Sequence, residues 1–133
     1  MEEQTAIQSQ EVAVRYIVND VDASVDFYTR MLGFQVDQHV KSAFASLSLG
    51  GVHLFINRPG AGGAGQAMPD GAVPAPGGWN RIQIFIKDIE GSVEKLIKKG
   101  AHFRNTIVTG VGGKQILLED PSGNLIELFE PAQ

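Results

Sequence analysis

The chain contains an internal repeat, in which a strand-like pattern and a helix-like pattern of the first half recur in the second half. Asp20 corresponds to Asp88 and Ser24 to Ser92, so the members of both pairs are 68 residues apart. Alternating apolar residues precede each Asp, and apolar residues at helical spacing follow it. Because both patterns recur in one register, the sequence predicts two copies of one structural module. The corresponding positions are Val14, Tyr16, Val18, Val21, Val25 and Tyr28 in the first copy and Ile82, Ile84, Ile86, Ile89, Val93 and Leu96 in the second.

Each copy predicts a strand, a helix and three further strands. Asp20 and Asp88 are suited to helix N-caps, because an Asp side chain accepts a hydrogen bond from a free backbone N–H. Gly33 and Gly100 stand where a glycine commonly ends a helix. The predicted strands are Val12–Val18, Phe34–Val40, Ala43–Leu49 and Val52–Asn57 in the first copy, and Arg81–Lys87, His102–Val108, Lys114–Glu119 and Leu125–Phe129 in the second.

The predicted fold is therefore α+β, with two βαβββ modules. One helix covers only one face of a four-stranded sheet, so each sheet keeps a free face, and we expect the two free faces to pair around a cup-shaped cavity. In segment 81–87 the isoleucines suit the core, whereas Arg81, Gln83 and Phe85 lie on the opposite face. The latter three residues suit the lining of a cavity.

Length and composition favour one domain over residues 1–133, with module one at about 12–58, a connecting loop at about 59–78 and module two at about 79–130. The net charge of −4 does not favour nucleic acid as a partner. The lack of cysteine excludes disulfides, cysteine-ligated metals and cysteine nucleophiles. No apolar run is long enough to span a membrane, and the N-terminal residues do not resemble a signal peptide. We expect a cytoplasmic protein without a membrane partner.

The connecting loop Pro59–Gly78 holds 7 of the 16 glycines and 4 of the 6 prolines. This composition does not favour a helix or a central strand. Two interpretations remain open: a flexible linker between the modules, or a mobile flap over the cup with Met68 and Trp79 as its apolar contacts. A Gly-x-Gly-x-x-Gly pattern begins at Gly60, but the prolines after it exclude the helix that a dinucleotide site needs.

Two motifs carry a family resemblance. The first, D-x-x-x-S-x-x-F-Y-x-x-x-L-G-F, runs from Asp20 to Phe34, and the second, E-D-P-S-G-N-L-I-E-L, runs from Glu119 to Leu128. Together with the repeat, they resemble the vicinal oxygen chelate superfamily, which includes glyoxalase I, bleomycin resistance proteins and extradiol dioxygenases. The resemblance covers roughly 12–130 and implies the two-module fold and a homodimer. It does not imply one function, because this fold serves several chemistries and also plain binding.

The resemblance also implies where a metal ion would bind. In metal-dependent members, four ligands come from the first and last strands of the modules, and the matching positions here are Ala13, Phe55, Arg81 and Glu127. Only Glu127 has the chemistry of a metal ligand. We therefore predict no metal and no other cofactor. The alternative is a shifted register, in which His53 and Glu127 would be the metal ligands.

The same resemblance places Arg81 and Glu127 in the cup, and we predict an ion pair between them across the vacated metal site. The pair either fixes a polar group of a ligand or only fills the site. Phe55 and Phe85 either contact a ligand or pack in the core, and Trp79 either stacks on a ligand or anchors the loop. The predicted ligand-binding residues are Arg15, Phe55, Asn57, Trp79, Arg81, Gln83, Phe85 and Glu127, and Ile17 and Phe129 are further candidates for the lining.

The favoured function is metal-independent binding of a small, partly apolar organic molecule in the cup. One alternative is an enzyme: a metal-dependent lyase, isomerase or dioxygenase, or a metal-free enzyme with Glu127 as its base. Another alternative is a non-catalytic dimeric module for protein–protein contact. The predicted partners are the small molecule and a second copy of the chain.

Overall fold

The computed structural model describes residues 11–133 of the chain. The first module contains β1 (Ala13–Ile17), α1 (Val21–Arg30), β2 (Gln35–Val40), β3 (Phe44–Leu49) and β4 (Val52–Asn57). The second contains β5 (Ile82–Phe85), α2 (Ile89–Lys98), β6 (His102–Phe103), β7 (Val108–Thr109), β8 (Gly113–Glu119) and β9 (Leu125–Pro131). The order confirms the predicted α+β fold of two βαβββ modules, with one difference. The segment predicted as a single strand at 102–108 forms two short strands, β6 and β7.

Both helices begin at the predicted caps, and α2 ends just before the predicted Gly100, whereas α1 ends at Arg30, three residues before Gly33. Asp20 caps α1 by accepting the backbone N–H of Ala23 at 2.9 Å, and Asp88 caps α2 by accepting that of Gly91 at 3.1 Å. Gly100 follows the last turn of α2 with φ of 93°, a conformation that glycine adopts without strain. The absence of a side chain at this position lets the chain turn directly into the next strand.

The two sheets have the same strand order, as the sequence repeat leads one to expect. The first sheet runs β1-β4-β3-β2 and the second runs β5-β9-β8-β6, with β7 paired to β8. In each sheet the first and last strands of the module are parallel neighbours. This adjacency places the first and last strands of a module, which carry the predicted site residues, side by side.

One face of each sheet bears the hydrophobic core, and a single cluster of buried side chains includes residues of both modules. Tyr16, Leu54 and Ile56 belong to this cluster, so their alternate neighbours in β1 and β4 lie on the other face. We call these other faces the open faces. The first open face carries Ala13, Arg15, Ile17, Phe44, His53, Phe55 and Asn57, and the second carries Arg81, Gln83, Phe85, Glu127 and Phe129.

The modules are joined by hydrogen bonds on the helix-bearing sides of the sheets and at the strand ends. The Tyr16 hydroxyl donates to the carbonyl of Leu125 and accepts the N–H of Ile82, both at 2.9 Å. The Tyr28 hydroxyl donates to Oδ2 of Asp120 at 2.8 Å. Burial raises the pKa of Tyr28 well above its usual value, and the charge of Asp120 raises that pKa further. These contacts tie the two halves into one packed unit.

The first part of the connecting loop is folded. The Gly60 N–H donates to the Gly65 carbonyl at 2.6 Å, and the Gly65 N–H donates to the Ala61 carbonyl at 3.1 Å. The interpretation of the loop as wholly flexible therefore does not describe this turn. Met68 and Trp79 are 45% and 66% exposed, so they are not buried contacts of a flap in this structure.

Within residues 11–133, neither helix is long and apolar enough to cross a membrane.

Candidate functional site

The first open face brings together three of the predicted site residues: Arg15, Phe55 and Asn57. Arg15 and Phe55 lie opposite each other in the parallel β1–β4 register, and the guanidinium carbon is 5.4 Å from the centre of the Phe55 ring. Arg15 Nη1 donates to Asn57 Oδ1 at 2.8 Å. Asn57 is buried and also donates through Nδ2 to the carbonyl of Arg58, so both ends of its amide are held. The guanidinium is thereby fixed beside an aromatic ring.

A cleft of about 290 Å³ lies beside this cluster. One side is formed by the sheet, where Phe44 meets Phe55 edge to face with ring centres 5.7 Å apart. The other side is the folded glycine turn, from which the residues Ala61 to Ala64 contribute backbone and methyl groups. Val40 and Ala43 complete the lining. The cleft is thus mostly apolar, with the Arg15 guanidinium and the Asn57 amide as its polar groups.

Phe44 is not among the residues predicted for the site, although the sequence indicates its place. The two-residue turn Gly50-Gly51 joins β3 and β4, and Leu49 pairs with Val52. Counting outward from that turn in antiparallel register puts Phe44 opposite Asn57, as the structure shows. The lining by the glycine turn had no comparable sequence signal.

The second open face is centred on Glu127, which is 6% exposed. Its Oε1 accepts from Arg81 through Nε and Nη2, both at 3.0 Å, and its Oε2 accepts from Gln83 Nε2 at 2.5 Å. The predicted ion pair between Arg81 and Glu127 is therefore formed. Gln83 lies opposite Glu127 in the parallel β5–β9 register, which explains the third contact. Both oxygens of this buried carboxylate are occupied.

Two aromatic rings and one tryptophan surround this cluster. Phe85 meets Phe129 edge to face, with ring centres 5.5 Å apart, and Phe85 is 65% exposed. Core packing is therefore excluded for Phe85, whereas Phe55 is partly buried against its neighbours. Trp79 lies against the guanidinium of Arg104, 5.0 Å from ring centre to guanidinium carbon. The aromatic surface of this face is available for contact.

The predicted site residues thus form two groups, one on each sheet. Within residues 11–133, the side-chain hydrogen bonds, ion pairs and ring contacts of these residues do not join the first open face to the second. The parts of the molecule that pack the modules together are the helix-bearing sides. The contacts among residues 11–133 do not close the cup, so the closed cup remains a prediction.

The residues at the four family positions do not fit a metal ion. Ala13 and Phe55 have no lone pair to donate, and the Arg81 cation repels a divalent ion while it occupies Glu127. In the alternative pair, His53 lies on the first sheet with its Nε2 3.6 Å from Oε1 of Glu11, and Glu127 lies on the second sheet, where Arg81 and Gln83 occupy its two oxygens.

A group of three carboxylates, Asp88, Glu90 and Glu130, lies elsewhere, at the start of α2. Asp88 caps the helix, Glu90 is paired with Lys114 at 2.7 Å, and Glu130 accepts the N–H of Ile89 at 2.9 Å. The contact with Lys114 lowers the pKa of Glu90. These carboxylates stabilise the start of α2 and its contact with β8, and they are not among the predicted site residues.

Residues 11–128 match the Glyoxalase/Bleomycin resistance protein/Dioxygenase superfamily. Because the match covers most of the chain, the chain belongs to this superfamily. The membership confirms the resemblance that the two sequence motifs carry. No curated protein sequence matches the chain significantly.

Solved structures of low sequence identity share the fold. A lactoylglutathione lyase from Agrobacterium tumefaciens is 16% identical, with a TM-score of 0.72 over 92% of this chain and 94% of that one. TioX from Micromonospora sp. ML1 is 19% identical, with a TM-score of 0.71 over 93% of this chain and 100% of that one. A superfamily member from Sphaerobacter thermophilus is 22% identical, with a TM-score of 0.70 over 92% of this chain and 98% of that one. At these identities the likeness establishes the fold alone.

Proposed function

We propose that this protein binds a small, partly apolar organic molecule at its open faces without the help of a metal ion. The proposal rests on the residues at the four positions where metal-dependent superfamily members hold their ion. Ala13 and Phe55 cannot ligate, and Arg81 neutralises Glu127, the one carboxylate of the four. These four positions suit no divalent ion, whereas Arg15 and the aromatic rings on the same faces suit an organic ligand.

The lining of the open faces supports binding of an organic ligand. Such sites are mostly apolar and aromatic, with few fixed polar groups. Phe44 and Phe55 on the first face and Phe85 and Phe129 on the second supply the rings. Arg15 supplies a fixed polar group. This combination resembles a binding site more than the centre of an acid–base reaction.

A metal-free enzyme with Glu127 as its base is less well supported. A general base needs a free oxygen within hydrogen-bond reach of the substrate proton. Oε1 of Glu127 accepts from Arg81, and Oε2 accepts from Gln83. Proton abstraction would require one of these contacts to break first.

We propose further that two copies associate through the open faces and so form the cup. Large apolar side chains are exposed there, including Phe85 at 65% and, beside the cleft, Val40 at 49%. Exposed apolar surface of this kind commonly marks a contact site. A second copy that faces the first would bring the two groups of site residues around one cavity.

The proposal of metal-free binding is tested by metal analysis of tag-free protein, with melting recorded with and without EDTA. We expect less than about a tenth of an equivalent of any transition metal and no effect of EDTA, because only one of the four positions has a metal ligand. A panel of aromatic acids, amides and amines is then screened by thermal shift, and at least one member should raise the melting temperature.

Other results would favour the alternative functions. Close to one equivalent of nickel, zinc, iron or manganese, lost with a large fall in melting temperature, would contradict the proposal and favour a metal-dependent lyase, isomerase or dioxygenase. His53 and Glu127 would then be the first residues to substitute. A metal-free protein that no compound class stabilises would favour a protein interaction module.

A further inference from the structure

We infer that the ligand of the first open face is an aromatic carboxylate, whose carboxylate binds Arg15 and whose ring occupies the cleft against Phe44. The inference rests on the proposed binding function and specifies the chemical class of its ligand. It follows from the charge of Arg15, the way its guanidinium is held and the lining of the cleft.

Arg15 has no ion-pair partner among the described residues. Arg81 and Glu127 neutralise each other, so Arg15 is the predicted site residue whose charge has no counterpart. Within residues 11–133, the ion pairs that the structure forms do not include Arg15. A guanidinium beside an aromatic surface without a carboxylate partner favours an anionic ligand.

The guanidinium is oriented before any ligand binds. Its Nη1 donates to Asn57 Oδ1 at 2.8 Å, and its plane is restricted by the Phe55 ring. Asn57 is 2% exposed, so the group that fixes Arg15 is itself held in the packed interior. A guanidinium has several N–H donors in a planar fork, and this single contact leaves the others for a carboxylate. An oriented donor loses less conformational entropy when a ligand binds.

The lining and the volume of the cleft indicate the uncharged part of the ligand. Arg15 is the ionisable side chain among the described residues that line it, and the other contributors are apolar groups, the Asn57 amide and glycine backbone. The Phe44 ring offers an edge or a face to a second ring. A volume of about 290 Å³ is at the lower end for small-molecule sites, which suits a ligand of one or two fused rings.

The test compares 2-naphthoate with 2-naphthamide, which share the ring system and differ in charge. Affinities are measured by calorimetry or by NMR titration for the wild type, Arg15→Gln, Arg15→Lys and a control variant, Arg30→Gln. Arg30 is exposed on α1, so its substitution removes the same charge away from both open faces. The melting temperature of each variant establishes that it is folded.

We expect the wild type to bind naphthoate about tenfold more tightly than naphthamide. Arg15→Gln should abolish this preference, and Arg15→Lys, which keeps the charge without the planar fork, should keep part of it. Arg30→Gln should behave as the wild type. On naphthoate binding, the amide signals of residues 61–64 should shift, because this turn lines the cleft.

Two outcomes would overturn the inference, and they differ from a failure of the proposed function. The first is equal affinity of the wild type for both compounds. The second is a naphthoate affinity that Arg15→Gln leaves unchanged, and if that variant also loses self-association, the charge is assigned to an interface. If neutral aromatic compounds still bind, the binding function stands without the inference. If no compound of the screening panel binds, both fail.

Discussion

Glu127 is a carboxylate that folding removes from water, and two neighbours compensate for the lost hydration. Arg81 binds one oxygen and Gln83 the other. A buried charge without partners lowers the free energy of unfolding, so the stability of the second open face depends on Arg81 and Gln83.

Arg81→Ala should lower the free energy of unfolding by about 1–3 kcal/mol, less than for a fully buried pair, because the Arg81 side chain is 29% exposed and partly screened. Urea denaturation at neutral pH measures the change. Arg30→Ala is the matched control, since Arg30 and Asp26 form an ion pair in which both side chains are more than half exposed. An Arg81→Ala variant as stable as the Arg30→Ala variant would contradict the assigned role.

The raised pKa of Tyr28 predicts that the folded protein loses stability at alkaline pH. Its pKa is raised in the folded protein above the usual value of 10.0, mainly by burial and further by Asp120. The unfolded chain therefore releases the phenolic proton first, and stability falls as pH rises above about 10. Tyr28→Phe should reduce this slope while it costs about 1 kcal/mol at neutral pH through the lost hydrogen bond.

The measurement is urea denaturation of both proteins between about pH 8 and 11. A residual slope is expected in the variant, because burial also raises the pKa of Tyr16. Parallel stability curves for wild type and variant would exclude Tyr28 as a source of the effect.

At the residue scale, the sequence predicted a contact between two residues better than it predicted how the whole set of site residues is grouped. The ion pair of Arg81 and Glu127 followed from the family resemblance, because both residues occupy positions at which metal-dependent members hold their metal ligands. The division of the site residues into two groups could not be predicted in the same way. It depends on which faces of the two sheets meet, and that is decided by core packing between residues far apart in the sequence.

At the scale of elements, the glycine turn at 60–65 differs most from its sequence interpretation. Its composition suggests a flexible segment, yet its backbone closes on itself. The reason lies at Gly65, where a Cβ would lie 2.6 Å from the Arg58 carbonyl oxygen and 2.7 Å from both the backbone nitrogen and the carbonyl oxygen of Ala61. Glycine is needed there for close backbone approach rather than for mobility.

Gly65→Ala should therefore disrupt the turn, at a cost of about 1–3 kcal/mol, and weaken binding in the cleft that the turn lines. Gly51→Ala is the control, because a Cβ at Gly51 meets no atom within 4 Å and Gly51 does not line the cleft. Urea denaturation gives the stability, and amide hydrogen exchange of Ala61 and Gly65 reports on the turn. Equal exchange in the two variants would show that the turn tolerates a side chain at Gly65.

The predicted strand at 102–108 shows why element boundaries were less accessible than element types. The Arg104 N–H donates to the Leu117 carbonyl at 2.8 Å, and the Asn105 side chain accepts the Leu117 N–H at 2.9 Å. A side chain thus replaces the backbone partner that a continuous strand would have supplied. Alternation of apolar residues carries no information about such a replacement, whereas the Asp caps predicted where both helices begin and Gly100 predicted where α2 ends.

At the scale of the whole molecule, the modules join through their helix-bearing sides, and the open faces retain exposed apolar surface. Phe85 is the largest contributor among the predicted site residues after Trp79, at 65% exposure. A second copy that covers this surface would remove it from water.

Phe85→Lys should shift the protein from dimer to monomer, because an ammonium group would be placed in the proposed contact. Size-exclusion chromatography with light scattering measures the mass over a range of concentrations. Ile97→Lys is the control, since Ile97 is 57% exposed on α2 and its substitution adds the same charge outside the open faces. A wild type that is monomeric at every concentration would contradict the proposed association directly.

The bonds of Tyr16 and Tyr28 hold the two halves together without using Ala13, Trp79 or Phe85, whose side chains are exposed. The contacts that keep the duplicated fold together are thus separate from these exposed positions. Substitutions at exposed positions outside such contacts have little effect on folding. A library randomised at these three positions should retain native melting behaviour in most members. Such a scaffold can acquire new ligands by substitution while its architecture stays the same.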